Sequence, residues 1–140
     1  MLTTELDFQD RMIDALEANC DLFAQISVPI IPANSDGTPA NGIAFMLTPI
    51  GQATCNYDGQ WDKQYAFQIT VRHTDQLTAV NTLQAISRYV DGLDNDSIQS
   101  QNGSFYFING QVTSLPNFLM KDDHGVVYVA SYSAELLLNE

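Results

Sequence analysis

The chain has 140 residues, with 17 acidic side chains against 5 basic ones and a formal charge of −12. Its apolar share of 45 % and charged share of 16 % are those of a folded globular domain, and 1–140 is expected to form a single one with its own core. Five scattered cations (Arg11, Lys63, Arg72, Arg88 and Lys121) cannot neutralise a phosphate track, which excludes autonomous nucleic-acid binding, and no run of about 18 apolar residues is available to cross a membrane.

The first residues lack a basic region followed by an apolar one, so no secretory leader is expected and the encoded start is read as the mature one. Thr4 suits a helix N-cap, and Glu5 and Asp7 favour the positive end of a helix. The spacing predicts a helix over 4–24, with Leu6, Met12, Ile13, Leu16, Cys20 and Phe23 as its apolar stripe and Phe8 at the edge. Opposite that stripe, Asp7, Asp10, Asp14, Glu17 and Asp21 recur every three or four residues and form one acidic ridge. Only Arg11 lies near enough in sequence to relieve it. Such a ridge keeps a protein soluble as an ordinary solvated face. Alternatively, it meets cations or repels a polyanion.

The segment 25–31 is rich in β-branched residues and predicts a short strand, in which Pro29 suits an edge. Residues 32–42 read as a loop, 43–48 as a strand, and 49–62 as a second long loop with a Tyr57-Asp58-Gly59 turn. Long loops in so small a domain tend to be functional. Tyr57 and Trp61 in the second loop are either a local minicore or interface anchors. The segment 64–73 alternates cleanly, with Tyr65, Phe67, Ile69 and Val71 on one face. Thr74 reads as the cap of a helix over 75–91, whose core-facing arc is Ala79, Val80, Leu83, Ile86 and Val90, and Gly92 ends it.

Beyond a polar loop, 104–108 predicts a strand and Asn109-Gly110 a hairpin turn. The segment 111–115 predicts another strand, broken at Pro116. Phe105, Tyr106 and Phe107 put apolar bulk on both faces of their strand, so one face is core and the other is covered by a helix or a neighbouring subunit. Gly125 supplies the positive φ of a tight connection into a last strand over 126–138, with Val127, Val129, Ser131 and Ser133 on one face and Tyr128, Ala130, Tyr132 and Ala134 on the other. Helix, strands, helix, strands implies an α+β fold: a single mixed or antiparallel sheet with two main helices packed on it.

Catalytic signals are weak. His73 reads as a surface or capping histidine, and His124 as part of a turn with Asp122 and Asp123. The cluster Asp91, Asp94 and Asp96 invites calcium, but it lacks the glycine and the closing glutamate of a calcium loop in register. No phosphate loop, nucleophile elbow or paired-carboxylate motif is present. No metal, cofactor or catalytic residue is assigned, and an enzyme is not expected. Cys20 reads as a small buried apolar residue and Cys55 as part of a polar loop. Two cysteines make no disulfide framework, and a reducing compartment is expected.

Three segments, taken together and in order, carry a resemblance: Leu2-Thr-Thr-Glu-Leu-Asp-Phe-Gln-Asp-Arg-Met-Ile13; Tyr57-Asp58-Gly59 followed by Tyr65-Ala-Phe67-Gln68-Ile69 and a capped helix; and Leu115-Pro116-Asn-Phe118 followed by Asp122-Asp123, Gly125 and Tyr128. In these the chain resembles the minor capsid protein family of long-tailed (siphovirus-type) bacteriophages of Gram-positive hosts, a family similar to tail terminators. The loop 32–42, with two prolines, departs from the usual connection. The resemblance implies a structural virion protein of the tail or neck, assembled in the host cytoplasm. It implies a homohexameric ring that caps the tail tube and docks it to the head-completion or stopper protein. The tape-measure protein is a further candidate neighbour. Neither catalysis nor a cofactor is implied, nor any contact with a membrane. Genomic DNA would pass through the ring without specific binding, and an electronegative wall would favour its passage. Asp7, Asp10, Asp14, Glu17, Asp21, Asp91, Asp94 and Asp96 are the candidate lumen or partner face. The alternatives are a neck stopper or adaptor bound to the portal, and a small acidic cytosolic binding module.

Overall fold

A computed structural model describes residues 7–48, 53–55 and 61–138, with side chains described for 7–48 and 63–138. Helix α1 (Phe8–Asn19) leads to strands β1 (Ile26–Ser27), β2 (Gly42–Thr48), β3 (Ala53–Cys55) and β4 (Trp61–His73). Helix α2 (Gln76–Asp91) then precedes β5 (Phe105–Asp122) and β6 (Gly125–Leu138). The described strands form one sheet in the order β1-β2-β4-β6-β5, and β3 pairs with the start of β4 beyond the end of β2. The β1–β2 pair is parallel and the others antiparallel, so the sheet is mixed. Both helices contribute to one core on one face of it. The fold is α+β, as the element order implies.

Alternation and helical period decide what is buried. Phe67, Ile69 and Val71 of β4 and Ala130, Tyr132 and Leu136 of β6 are fully buried beneath the helices. Phe8, Met12 and Leu16 on α1, and Ala79, Leu83, Ile86 and Val90 on α2, meet them at helical spacing. An aromatic chain crosses this core. The Phe8 ring stands edge-on to Phe105 at 5.7 Å and to Phe67 at 6.2 Å, and Phe67 stacks on Phe45 at 4.7 Å and on Tyr132 at 5.3 Å. The buried Tyr132 hydroxyl lies 2.7 Å from Ser87 Oγ, which donates to the Leu83 carbonyl at 2.9 Å. The serine's single proton is thereby committed, so tyrosine is the donor. Burial pushes the Tyr132 hydroxyl up to about 12.

Helix α1 is shorter than the expected span of 4–24. Thr4 and Leu6 lie outside the described residues, and Asp7 holds the N-cap position. The chain leaves the helix at Cys20, which is extended. A helix advances only about 1.5 Å per residue, and non-helical chain carries residues 20–25 to β1. The Glu17 carboxylate accepts the backbone N–H of Ile26 at 2.9 Å and fixes that return. Phe23 is consequently off the apolar stripe, with its ring edge-on to His73 at 4.7 Å, while Phe8 is at the stripe's centre. β1 is two residues long and lies at an edge, so Pro29 falls just past it.

Two further expectations fail because a partner strand claims the segment: β4 for 53–55 and β6 for 105–122. Residues 53–55 are a strand, so Cys55 is not in a loop, and Trp61 opens β4 rather than closing a loop. Likewise, Asn109-Gly110 is no hairpin, and Pro116 does not end the strand. β5 runs straight through both, with Asn109 opposite Glu135 and Gly110 opposite Ala134. The long apolar strand β6 provides a ladder that overrides local turn chemistry. Four register shifts absorb the mismatch, and Pro116 falls within one, between Ser114 and Asn117, where no ladder N–H is required. Gly110 is small for another purpose: a Cβ there would lie 3.0 Å from the Val90 carbonyl oxygen at the end of α2. The true hairpin turns at Asp123-His124. Gly125, at φ +141°, passes so close to His73 that a Cβ would lie 2.5 Å from its carbonyl oxygen.

Candidate functional site

The residues that chemistry would need are occupied in holding the fold. His73 Nδ1 accepts the backbone N–H of Asp75 at 2.9 Å, a capping role at the start of α2. Asp75 rather than Thr74 is the N-cap residue. The Thr78 hydroxyl donates to its carboxylate at 2.7 Å and is the first cause of a pKa below the ordinary value. Asp122 accepts the backbone N–H of His124 at 2.8 Å and the Arg72 guanidinium at 3.0 and 2.9 Å, and both hold its carboxyl low. Cys20 is half-buried, and burial pushes its thiol up, away from the reactive thiolate. Among the described residues no group of three or more His, Cys, Asp or Glu side chains is placed to hold a metal.

What the structure does assemble is an acidic surface. Asp10, Asp14 and Glu17 are exposed along α1, and Arg11 relieves only Asp14, at 3.5 Å. Asp91 ends α2, and Asp94 and Asp96 follow it, all exposed. Residues 97–99, which follow the second cluster, dock on α1 beside Asp14. Arg11 Nε donates to the Gln99 carbonyl at 2.6 Å, Asn19 reaches the Tyr89 hydroxyl at 3.3 Å, and Asp14 shares a shallow groove with Ser97 and Ile98. The backbone N–H of Asp96 donates to the Phe107 carbonyl at 2.8 Å, which holds the second cluster against the sheet.

Two expected members do not belong to the ridge. Asp21 lies beyond the helix end. Asp7 turns inward: it accepts the hydroxyls of Ser100 and Ser104 at 2.7 and 3.0 Å and the backbone N–H of Gln101 at 2.8 Å. Partial burial raises its pKa, but these hydrogen bonds outweigh that and leave the carboxyl below its ordinary value. Asp7 therefore ties the start of α1 to the loop before β5. Of the proposed loop anchors, Tyr57 lies outside the described residues, and Trp61 is placed only by its backbone, opposite Leu138.

Over residues 8–138 the sequence matches the family described as bacteriophage tail terminator protein. The chain belongs to that family. No curated protein matches it. As a tail terminator it is a structural protein of the phage tail, in agreement with the resemblance carried by the three colinear segments. No described helix is long and apolar enough to cross a membrane.

The tail terminator exposes a second kind of surface that sequence reasoning missed. Leu115, Phe118, Leu119 and Met120 are exposed on β5, at one edge of the sheet, and Val28 and Ile30 just after β1, at the other. Three consecutive apolar residues, Phe118-Leu119-Met120, were the available signal, since a strand cannot bury both of its faces unaided. Tyr106, too, is exposed, on the sheet face that neither helix covers, while Phe105 and Phe107 enter the core.

Proposed function

We propose that the chain, as one unit over 1–140, forms a ring, most simply a hexamer, that caps the tail tube and docks it to the head-completion or stopper protein. In this reading the acidic helical layer faces the DNA lumen or a partner. Membership in the tail terminator family over 8–138 carries the proposal. The docking of residues 97–99, just after Asp91, Asp94 and Asp96, on α1 beside Asp14 puts both acidic segments in the helical layer and supports the electrostatic part. With a formal charge of −12 per subunit, each further copy in the ring deepens a potential that discourages phosphate from sticking in transit. Function then rests on shape and charge, and none of the described groups is needed to make or break a bond. The tail tube and head-completion proteins are the expected partners, with the tape-measure protein a further neighbour, in the virion and, during assembly, in the host cytoplasm.

Electron microscopy of the protein mixed with its tail-tube protein tests the reading. The expected result is a ring at one end of each tube and arrested tube growth. A strict monomer that leaves tube length unchanged would overturn it, and a ring found only on the portal would move the protein to the neck. For the charge, lysine substitutions at Asp10, Asp14 and Glu17, and separately at Asp91, Asp94 and Asp96, should permit assembly and slow DNA ejection. Unchanged ejection in both sets removes the lumenal role.

A further inference from the structure

We infer that Asn102 is a self-modification site: its side-chain amide closes on the backbone nitrogen of Gly103 and is lost as ammonia, and the carboxylate left behind weakens the hold of Asp7 on the start of α1. This is chemistry of the chain itself and stands whether or not the protein forms a ring. Asparagine followed by glycine is the step most prone to such cyclisation, because glycine has no side chain to shield the attacking nitrogen. The chain has three such steps, Asn41-Gly42, Asn102-Gly103 and Asn109-Gly110, and the fold separates them. Gly42 and Gly110 are ladder residues, opposite Arg72 and Ala134, so their nitrogens cannot swing onto a side chain unless the sheet opens. Asn102 and Gly103 are exposed in the loop before β5. Gly103 has φ +75°, and no atom beyond its own chain neighbours lies within 4 Å of where a Cβ would be. The Asn102 side chain folds back along its own backbone: Oδ1 accepts the N–H of Ser104 at 3.0 Å. That N–H also stabilises the negative charge that the oxygen gathers when the amide carbon is attacked.

In the reaction the Gly103 nitrogen gives up its proton to solvent base and bonds to Asn102 Cγ. The Cγ–Nδ2 bond breaks, and the amide nitrogen takes up a proton and leaves as ammonia. Water then opens the cyclic imide at either carbonyl, giving an aspartate at this position or an isoaspartate link with an extra methylene in the main chain. Water enters, ammonia leaves, and nothing is oxidised or reduced. Asp36-Gly37 repeats the geometry, with the Thr38 N–H on Asp36 Oδ1 at 3.0 Å and Gly37 at φ +86°. There, however, the Thr38 hydroxyl and N–H hold the carboxyl below its ordinary value, so it is ionised and a poor electrophile. A carboxylate at position 102 matters because Asp7 is its neighbour. Ser100 has one proton for two acceptors, Asp7 Oδ1 at 2.7 Å and Asn102 Oδ1 at 2.9 Å. The Asn102 backbone N–H serves Asp7 as well. An ionised Asp7 holds the serine proton against a neutral amide, whereas a second carboxylate competes for it as an equal and repels Asp7.

Incubation of the full chain in warm, mildly alkaline buffer, followed by peptide mapping, tests the site, with sampling continued until a urea-unfolded sample of the same chain has reacted. In the folded chain, conversion at Asn102 should be at least tenfold faster than at Asn41 or Asn109, with isoaspartate at position 102 and none at Asp36. In urea, where the ladders are gone, the three asparagines should react at similar rates. Equal or faster conversion at Asn41 or Asn109 in the folded chain, or an Asn102 that stays intact there while it reacts in urea, would overturn the site. Asn102→Asp tests the consequence directly. Hydrogen exchange of the first bonded amides of α1, from Arg11 on, should become at least threefold faster, and the same substitution in an Asp7→Asn background should change nothing. No change in the parent background, or equal acceleration in both, would overturn the link to Asp7.

Discussion

The two faces of the sheet are built from alternate residues of the same strands, yet they carry different burdens. Toward the helices, β4 and β6 present Phe67, Ile69, Val71, Ala130 and Tyr132, all fully buried. On the other side Gln68 lies opposite Ser131, and Ala66 opposite Ser133, none of them buried. The charge follows the helices, with the exposed carboxylates of α1 and of the segment after α2 on the outer surface of the helical layer. The open face has Gln and Ser side chains in its central rows, the buried Val127 and Val129 beside Arg72 and Thr70, and two charged positions, the Arg72–Asp122 pair toward one end and Glu135, held by Asn109, toward the other. Most of the packing and the exposed negative charge are therefore on one side, and the central rows of the other side offer uncharged polar groups, with apolar burial only at Val127 and Val129. Substitutions one residue apart should consequently have effects that differ by an order of magnitude.

The sharpest form of that contrast is Phe67→Ala against Gln68→Thr. Phe67 touches Phe8, Phe45 and Tyr132, so its truncation should cost about 3–5 kcal/mol. Gln68→Thr, on the open face, should stay within about 0.5 kcal/mol. Urea midpoints of the two variants check this, and equal losses would mean that the open face is packed against something as tightly as the core. The next largest effect is expected where the faces are joined at the β5–β6 turn. Gly125→Ala combines a left-handed φ with a Cβ 2.5 Å from a backbone oxygen that cannot rotate away. It should cost more than about 1 kcal/mol. A thermal midpoint unchanged from the parent would show that the turn can shift without penalty.

The contrast also explains which parts of the molecule were legible in the sequence. Residues 64–73, 76–90 and 130–138 are readable because their burial follows a single period set by one covered face, whereas Val126, Val127 and Val129 are buried on both faces of β6. Sequence position alone could not show that β6 would pull Asn109-Gly110 and Pro116 into a strand, because that depends on a partner that follows in the chain. Nor could the period of α1 show where the helix stops, since the return to β1 is fixed by a contact between Glu17 and the Ile26 backbone. Of the candidate site, the exposed acids could be listed from spacing, but the docking of residues 97–99, just after the second cluster, on α1 is a tertiary fact. Asp7 was assigned to the ridge because it has the right spacing. Its partners at Ser100, Gln101 and Ser104 lie more than ninety residues on.

Asp7, like Glu17, is thus an acid on the helical side that serves the fold and not only the surface. Asp7→Ala removes an acceptor from two hydroxyls and a backbone N–H and should cost about 1–2 kcal/mol, reduced from the full value by its partial exposure. The effect should depend on pH. Its folded pKa is depressed, so its contribution is complete above the ordinary carboxylate value of about 3.9 and is lost as pH falls through the lower folded value. Parent and variant should therefore differ at neutral pH and converge in acid. A difference that persists at pH 2 would assign the loss to packing rather than to the ionised carboxylate.

The smallest effect expected is the one that bears most on function. Asp10→Asn/Asp14→Asn/Glu17→Gln removes three charges from the ridge and should change stability by no more than about 0.5 kcal/mol. Three small quantities nearly cancel. Relief of the Asp10–Asp14 and Asp14–Glu17 repulsions gains about 0.2–0.5 kcal/mol each. The exposed Arg11–Asp14 pair, with a long 3.5 Å contact, gives up at most about 1 kcal/mol and typically less. Asp10 loses its favourable place in the first turn of α1. The glutamine at position 17 keeps an amide oxygen able to accept the Ile26 N–H, so the return to β1 survives. If the unfolding midpoint holds while electrophoretic mobility shows the loss of charge, these acids serve the protein's surroundings and not its fold. If stability falls by several kcal/mol, the ridge is structural, and the comparison between the two sides of the sheet loses its functional half.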